Sequence, residues 1–422
     1  MHPVSHVRLV AIVCAAQVLV QIGAFFWPAL LPDMMRLWSL SNSEAGWITA
    51  AFYAAYMVSV PVLVTLTDRI DPKRIYLFGV ACTVIGHLCF GLFAEGFWSA
   101  LGFRALTGMG WAGTYMTGVK LLADKVDEKL MSRAVAGHAA SIGVSGALSF
   151  AVADLLASHL GWQAAFITAA ISAAIAWFMV AAVVPRRSSA PRPAADGGGL
   201  FDFRFVFRNR SAMAYAQAYC VHTLEMNALR GWAIAFLGYV AASSGDGNAA
   251  IPPTVVATVL GLVGTAASVM GNEAAIRLGR RRLVALAMAG SVVMASVLAW
   301  AGTWSYAIAA GLLLAYSTLC WLDSSSLTAG AAGTAEPSRR GATLAVHSML
   351  GYAGGFVGPL MIGYTLDLAG GMSPAGWGAA FLSIAVLMAI SLAAFLVMRP
   401  RELAGDEKLK AARKAPAKAS GQ

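Results

Sequence analysis

Apolar residues run through this chain in blocks of about twenty to thirty, separated by short breaks rich in Arg, Lys, Asp, Gly and Pro. Each block is long enough to cross the roughly 30 Å hydrocarbon layer of a bilayer as a helix. Twelve such spans can be drawn, at 8–31, 44–66, 75–94, 97–122, 134–157, 162–184, 211–240, 252–275, 282–301, 304–329, 341–368 and 375–398. In lipid the backbone must satisfy its own polar groups, and segments of this length do so as α-helices. The pattern therefore predicts an all-α membrane protein with twelve transmembrane helices.

Composition agrees. Hydrophobic residues fill 59% of 422 positions and charged residues 12%, about half the ~25% of a soluble domain. The basic residues set an orientation. With the N-terminus inside, 26 of the 30 Lys and Arg fall in the termini and loops of that side, and only Arg36 on the other. Both termini are expected in the cytoplasm, in the inner membrane of a bacterium. The net charge of +10 is explained by this orientation and requires no nucleic acid. The first span is too long for the core of a signal peptide and lacks a small-x-small cleavage site, so it reads as a retained helix. Cys14, Cys82, Cys89, Cys220 and Cys320 all lie in apolar spans without CxxC spacing. They read as reduced hydrophobes, and no metal or cofactor is expected.

The chain repeats itself. "RIDPKRIYLF" from Arg69 aligns with "RLGRRRLVAL" from Arg277, "GWQAAF" from Gly161 with "GWGAAF" from Gly376, and Arg133–His138 with Arg340–His347, at offsets of 208, 215 and 209. The order of elements is preserved, so the expected architecture is two pseudo-symmetric six-helix bundles, 1–184 and 211–398. Parallel repeats of this kind place a substrate site between the halves near mid-membrane. The joining segment 185–210 begins as a Pro/Ser/Gly linker and ends in "FDFRFVFRNR", which suits the headgroup layer with its aromatics down. The tail 399–422 reads as solvated and basic, in contact at most with anionic lipid.

A six-plus-six repeat with a long central loop resembles the major facilitator superfamily over essentially the whole chain. The loop after the second span carries Asp68, Arg69, Lys73 and Arg74 of the motif Gly-x-x-x-Asp-Arg-x-Gly-Arg-Lys, with Val64 and Asp71 at its glycine positions. The second copy keeps Arg277, Gly279, Arg280, Arg281 and Arg282 but has Ile276 at the aspartate position. Arg104, Gly108 and Gly110 fit the fourth-helix motif. The fifth span has Gly143 and Gly146 but no Gly-Pro, which lies instead at Gly358–Pro359. The resemblance implies that helices 1, 4, 7 and 10 line a cavity, that 2, 5, 8 and 11 lie beside it, and that Asp68 braces a helix N-terminus of the other half.

Charged groups inside the spans mark the chemistry, since each costs about 3 kcal/mol to insert. They are Glu225 and Arg230 in "VHTLEMNALRGW", with Arg104, Lys120 and Asp323. His222 and Glu225 are three apart and share a helix face; Asn227 and Arg230 share another. A desolvated Glu225, with His222 beside it and Asp323 as a second acid, suits proton coupling. Arg230, with Arg104, can grip a carboxylate or phosphate. Asn227, Gln17, Gln21, Tyr53, Tyr56, His347 and Tyr352 complete the expected solute pocket. Lys120 and Asp323 lie at matching depth and are candidates for an inner-gate salt bridge; Arg69, Arg74, Arg133 and Arg277 join Asp68 as gating residues.

No GxxxxGK[ST] motif occurs, so a gradient must supply the energy. The expected function is secondary active transport by alternating access: proton-coupled uptake of a small anionic organic solute, by a monomer in contact with membrane lipid. Proton-driven efflux of amphipathic compounds is the same-class alternative. An enzyme would require a nucleophile or metal constellation, which the separated histidines do not offer. A transport-inactive sensor would require a folded extramembrane domain, for which linker and tail are too short and polar.

Overall fold

The computed structural model describes residues 6–123, 126, 128–185, 203–243, 251–336, 339–403 and 406; the Asp68 side chain lies outside the described set. Its elements are α1 (His6–Gln21), α2 (Phe26–Ala29), α3 (Leu31–Leu37), α4 (Asn42–Arg69), α5 (Pro72–Phe93), α6 (Phe97–Ala123), α7 (Glu128–Leu160) and α8 (Trp162–Val183). After the linker come α9 (Arg204–Arg208), α10 (Arg210–Ser243), α11 (Pro253–Leu278), α12 (Arg280–Ala301), α13 (Tyr306–Leu322), α14 (Ser324–Thr334), α15 (Arg340–Leu368) and α16 (Pro374–Met398). No strand occurs among the described residues. Among the described residues, nine helices are long and apolar enough to cross a membrane. The other rods are the broken α1–α3, α6 with Arg104 and Lys120, and α10 with Glu225 and Arg230; all three are interrupted or made more polar by the groups discussed below.

Local chemistry sets the helix ends. Ser41 and Glu44 form a capping box at the start of α4, Asp71 caps α5 ahead of Pro72, and Ser305 and Ser373 cap α13 and α16. Gly279 links α11 to α12 with a positive φ of 94°, a conformation its repeat counterpart Asp71 does not adopt.

Two rods are broken where the sequence suggests one continuous span with at most a bend. The first loses its helical bonding around Gly23–Phe25. The freed Phe25 N–H donates to Ser149 Oγ of α7 (3.0 Å), and the freed Ala24 carbonyl accepts from the Arg104 guanidinium of α6 (3.2 Å). Side chains of neighbouring helices thus satisfy backbone that the break would leave bare in lipid. The tenth rod breaks at Asp323, between α13 and α14.

The first six rods pack on one another, as do the last six; the halves meet through α4 against α15 and α7 against α11. We call the end that carries the chain termini the inner end. At the outer end one apolar core is shared by both halves, including Trp27 and Phe166 of the first and Trp232, Phe236 and Trp377 of the second. At the inner end each half has its own core, Leu9–Tyr76–Val180 on one side and Tyr215–Met288–Phe395 on the other. The halves are therefore joined outside and separate inside.

The tail differs from its solvated reading. Its first residues dock on the second half: Arg401 bonds Ser211 and Tyr215, Glu402 accepts from the Arg281 N–H, and the buried Asp406 pairs with the buried Arg280 at 3.1 Å. Residues 404, 405 and 407–422, like linker residues 186–202, lie outside the described set.

Candidate functional site

A cleft lies between the halves at mid-depth, walled by Gly146, Ala147 and Phe150 of α7, Met226, Leu229 and Arg230 of α10, Leu260 and Gly261 of α11, and Ser317 and Trp321 of α13. Arg230 is the one charged residue among those lining it. Its guanidinium lies 5.0 Å from the Phe25 ring of the first half and 4.6 Å from the Trp321 ring of the second. Stacking on both rings leaves the donor edges of its planar fork available, and it makes no ion pair among the described residues.

Beside the cleft, α4 meets α10 and α15. Tyr56 of the first half stacks on Tyr352 of the second at 3.6 Å. Gly355 leaves room for the Tyr53 ring and the Asn227 amide, which donates to the Thr223 carbonyl at 2.8 Å. Tyr53, Tyr56, Asn227, Arg230 and Tyr352 thus gather where the halves touch.

His222 and Glu225 do share a face, and that face turns into the second half, toward α13 and away from the cleft. His222 Nδ1 lies 3.1 Å from Asp323 Oδ1, both groups fully buried. The donor atoms of His222, Glu225 and Cys320 lie within 4.8 Å of one another, with Tyr316 and Ser291 beside Glu225. Both His222 nitrogens, one oxygen each of Glu225 and Asp323, and the Tyr316 hydroxyl make no regular hydrogen bond. Two buried carboxylates and an imidazole, with no Lys or Arg paired to them among the described residues, require a proton or another cation to neutralise them. By distance the same donors could hold a metal ion, which the sequence spacing did not suggest.

Toward the inner end, Tyr219 is sandwiched between His222 (5.7 Å) and His347 (4.0 Å), and His347 Nε2 lies 3.2 Å from Thr328 Oγ1. His347 therefore belongs with the acid cluster rather than with the cleft.

Other candidates lie elsewhere. Gln17 and Gln21 bond each other inside the first half, Gln17 also meeting Tyr76, and do not line the cleft. Arg104 is buried at the helix break, over the Phe52 ring at 4.6 Å, and holds the Ala24 carbonyl; it too is away from the cleft. The proposed Lys120–Asp323 gate is not formed: the ion pair of Asp323 goes to His222 of its own half. Arg69, Arg74, Arg133 and Arg277 are exposed at inner helix ends. Sequence reasoning overlooked Cys320, Trp321, Tyr219, Tyr316 and Thr328. The Cys320-x-x-Asp323 spacing was the available signal, since it repeats the three-residue step of His222 and Glu225.

The sequence profile described as Major Facilitator Superfamily matches residues 13–270 and again 250–421. The chain belongs to the Major Facilitator Superfamily. It is a multi-pass membrane transporter of that family. It is 25% identical over 383 residues to human protein spinster homolog 1, covering 85% of this chain and 72% of that one. It is 26% identical over 154 residues to a probable 4-methylmuconolactone transporter of Cupriavidus pinatubonensis, 36% of each chain. The fold matches the crystal structure of a bacterial homolog to the human lysosomal transporter Spinster, in an inward-facing and occupied conformation. There the TM-score is 0.73 and the identity 14%, over 93% of this chain and 96% of that one.

Proposed function

We propose that this transporter works by alternating access and couples proton movement to uptake of a small anionic organic solute. The observation that carries the proposal is Arg230: a cation without a carboxylate partner, held between aromatic rings of the two halves. A solute carboxylate or phosphate would complete its bidentate geometry and touch both halves at once. The absence of a Gly-Pro in the fifth span favours uptake.

Coupling follows from shared helices. Arg230 and Glu225 sit on α10, Trp321 and Cys320 side by side on α13. A proton taken by Glu225 and shared with His222 and Asp323 neutralises the cluster; its loss charges it. Either change acts on the two helices that hold the solute. Tyr219, Thr328 and His347 then give the proton a polar route toward the inner end, which makes His347 part of coupling. Protons and the solute are the partners, with the chain acting as a monomer among lipids of a bacterial inner membrane, both termini cytoplasmic. In this reading Asp68, Arg69, Arg74, Lys120, Arg133 and Arg277 serve the inner gate.

The apolar walls of the cleft, Phe150, Met226, Leu229 and Leu260, favour a second reading, proton-driven export of an amphipathic compound. Proteoliposomes with an imposed pH gradient decide between them. Accumulation of labelled organic acids with protons entering supports uptake; dye extrusion against protons supports export; neither response sinks proton coupling.

A further inference from the structure

Where α11 ends and α12 begins, the second copy of the basic motif carries four arginines and has Ile276 where the first copy has Asp68. One of those arginines, Arg280, is nevertheless buried, 3% exposed. Burying a guanidinium is costly, and an acid beside it offsets that cost. Its acid comes from 126 residues further along the chain: Nε meets Asp406 Oδ2 at 3.1 Å and Nη2 meets Oδ1 at 3.4 Å. Nη1 reaches Asn272 Oδ1 of α11 (3.1 Å) and the Ser326 carbonyl of α14 (3.4 Å). Arg401, Glu402 and Leu403 are fastened to α10, α12 and α14. Arg401 N–H donates to Ser211 Oγ, and its carbonyl accepts from the Tyr215 hydroxyl of α10 (3.0 Å). Glu402 accepts from the Arg281 N–H of α12 (3.3 Å), and Leu403 fills the space left by Gly333 of α14.

We propose that Arg401, Glu402, Leu403 and Asp406 form an inner brace of the second half, that Asp406 supplies the acid the second copy of the basic motif lacks, and that the transport cycle requires it. The geometry gives the reason. α14 follows α13 after an interruption of the helical bonding at Asp323. Arg280 and the brace tie α14 to α10, α11 and α12. In the present arrangement the halves are joined outside and separate inside, so the other state requires the inner end of the second half to close on the first. A tied α14 moves with its neighbours as one face; a loose one does not. Asp406 is a positioning residue and does not touch solute.

The test is hydrogen exchange on the full chain in lipid nanodiscs, without solute. Asp406→Asn should speed exchange in 324–334 and 211–219 by at least about tenfold and leave 72–93 unchanged. It should also slow exchange of the peptide bearing Asn42 and Ser43 by about threefold, because the chain then rests in the outer-closed state. Asp406→Glu should recover the outer-end value. The pair Arg280→Gln with Asp406→Asn leaves no lone buried charge, so it folds where the single variant fails, and must slow the outer peptide likewise. Unchanged exchange in 324–334 overturns the brace, as does equal acceleration in both halves. Loosening of 324–334 with no change at Asn42 and Ser43 overturns its part in the cycle.

Discussion

Asp367 of α15 caps a helix of the other half at Ser43. One carboxylate oxygen accepts from the Ser43 N–H (2.7 Å) and hydroxyl (2.5 Å); the other accepts from the Asn42 N–H (3.2 Å) and side-chain amide (2.8 Å). Four donors at the positive end of α4 are therefore held by a carboxylate that arrives from across the interface. Gly363 makes this approach possible, because a Cβ there would lie 2.3 Å from the Asn42 carbonyl oxygen. The relationship is a latch on the outer end. Asp367 is exposed, so its Coulomb part is screened and the cap-like hydrogen bonds remain. Asp367→Ala should cost about 1 kcal/mol of outer closure, roughly a fivefold shift in population. Spin-label distances between exposed Leu37 and Ile251 check this: a longer-distance population should grow, and an unchanged distribution rules the latch out.

Glu225→Gln should abolish accumulation driven by a pH gradient while leaving solute exchange at equal pH on both sides. Glutamine keeps the size and most of the hydrogen bonding of Glu225 beside Cys320 and Tyr316 and removes only the titrating proton. Retained accumulation with the usual pH dependence would assign coupling elsewhere, Asp323 first. The same assay separates a proton from a metal at this cluster. A chelator should leave transport unchanged; loss restored by added zinc would make His222, Glu225 and Cys320 a metal centre instead.

Arg230→Lys should weaken binding of small carboxylates by about tenfold, although it keeps the charge. A lysine offers no planar fork and stacks poorly between Phe25 and Trp321. Arg230→Met should weaken them further and spare uncharged amphiphiles. Thermal stabilisation by benzoate, succinate and an alkyl phosphate gives the measurement. Equal responses from all three proteins would remove Arg230 from the solute site.

What the sequence revealed follows from what periodicity encodes. Block length gave the all-helical membrane fold, with nine helices among the described residues long and apolar enough to cross. Spacing of three put His222 and Glu225 on one face, correctly. It could not say which neighbour that face meets, because α6 and α10 scatter their polar groups around the helix and α13 is apolar nearly all round, so none offers a single polar side to orient it. Hence Lys120 and Asp323 matched in depth and not in direction, and Arg104, expected in the cleft, turned out to hold a broken helix. The break at Asp323 left no Gly or Pro to announce it. The tail was hidden for another reason: its charges read as solvated, and the arginine that buries Asp406 is remote in sequence.

Close contact between α10 and α15 holds His222 and Glu225 in place, and glycine permits it. A Cβ at Gly354 would lie 1.9 Å from the Cys220 carbonyl oxygen, and one at Gly358 would lie 2.2 Å from that of Leu224, next to Glu225. Both obstacles are backbone, so a methyl group there must push whole helices apart. Gly358→Ala should destabilise the protein by about 1–3 kcal/mol and, by moving Glu225 relative to Cys320 on α13, reduce proton-driven accumulation more than equal-pH exchange. Gly238 on the same α10 faces open space, so Gly238→Ala should stabilise by about 0.5–1 kcal/mol through helix propensity alone. Thermal unfolding of the two variants in one detergent compares them directly. Equal melting temperatures, or a Gly358→Ala protein whose accumulation and exchange fall in step, would show that this contact sets neither the packing of α10 nor the place of the acid.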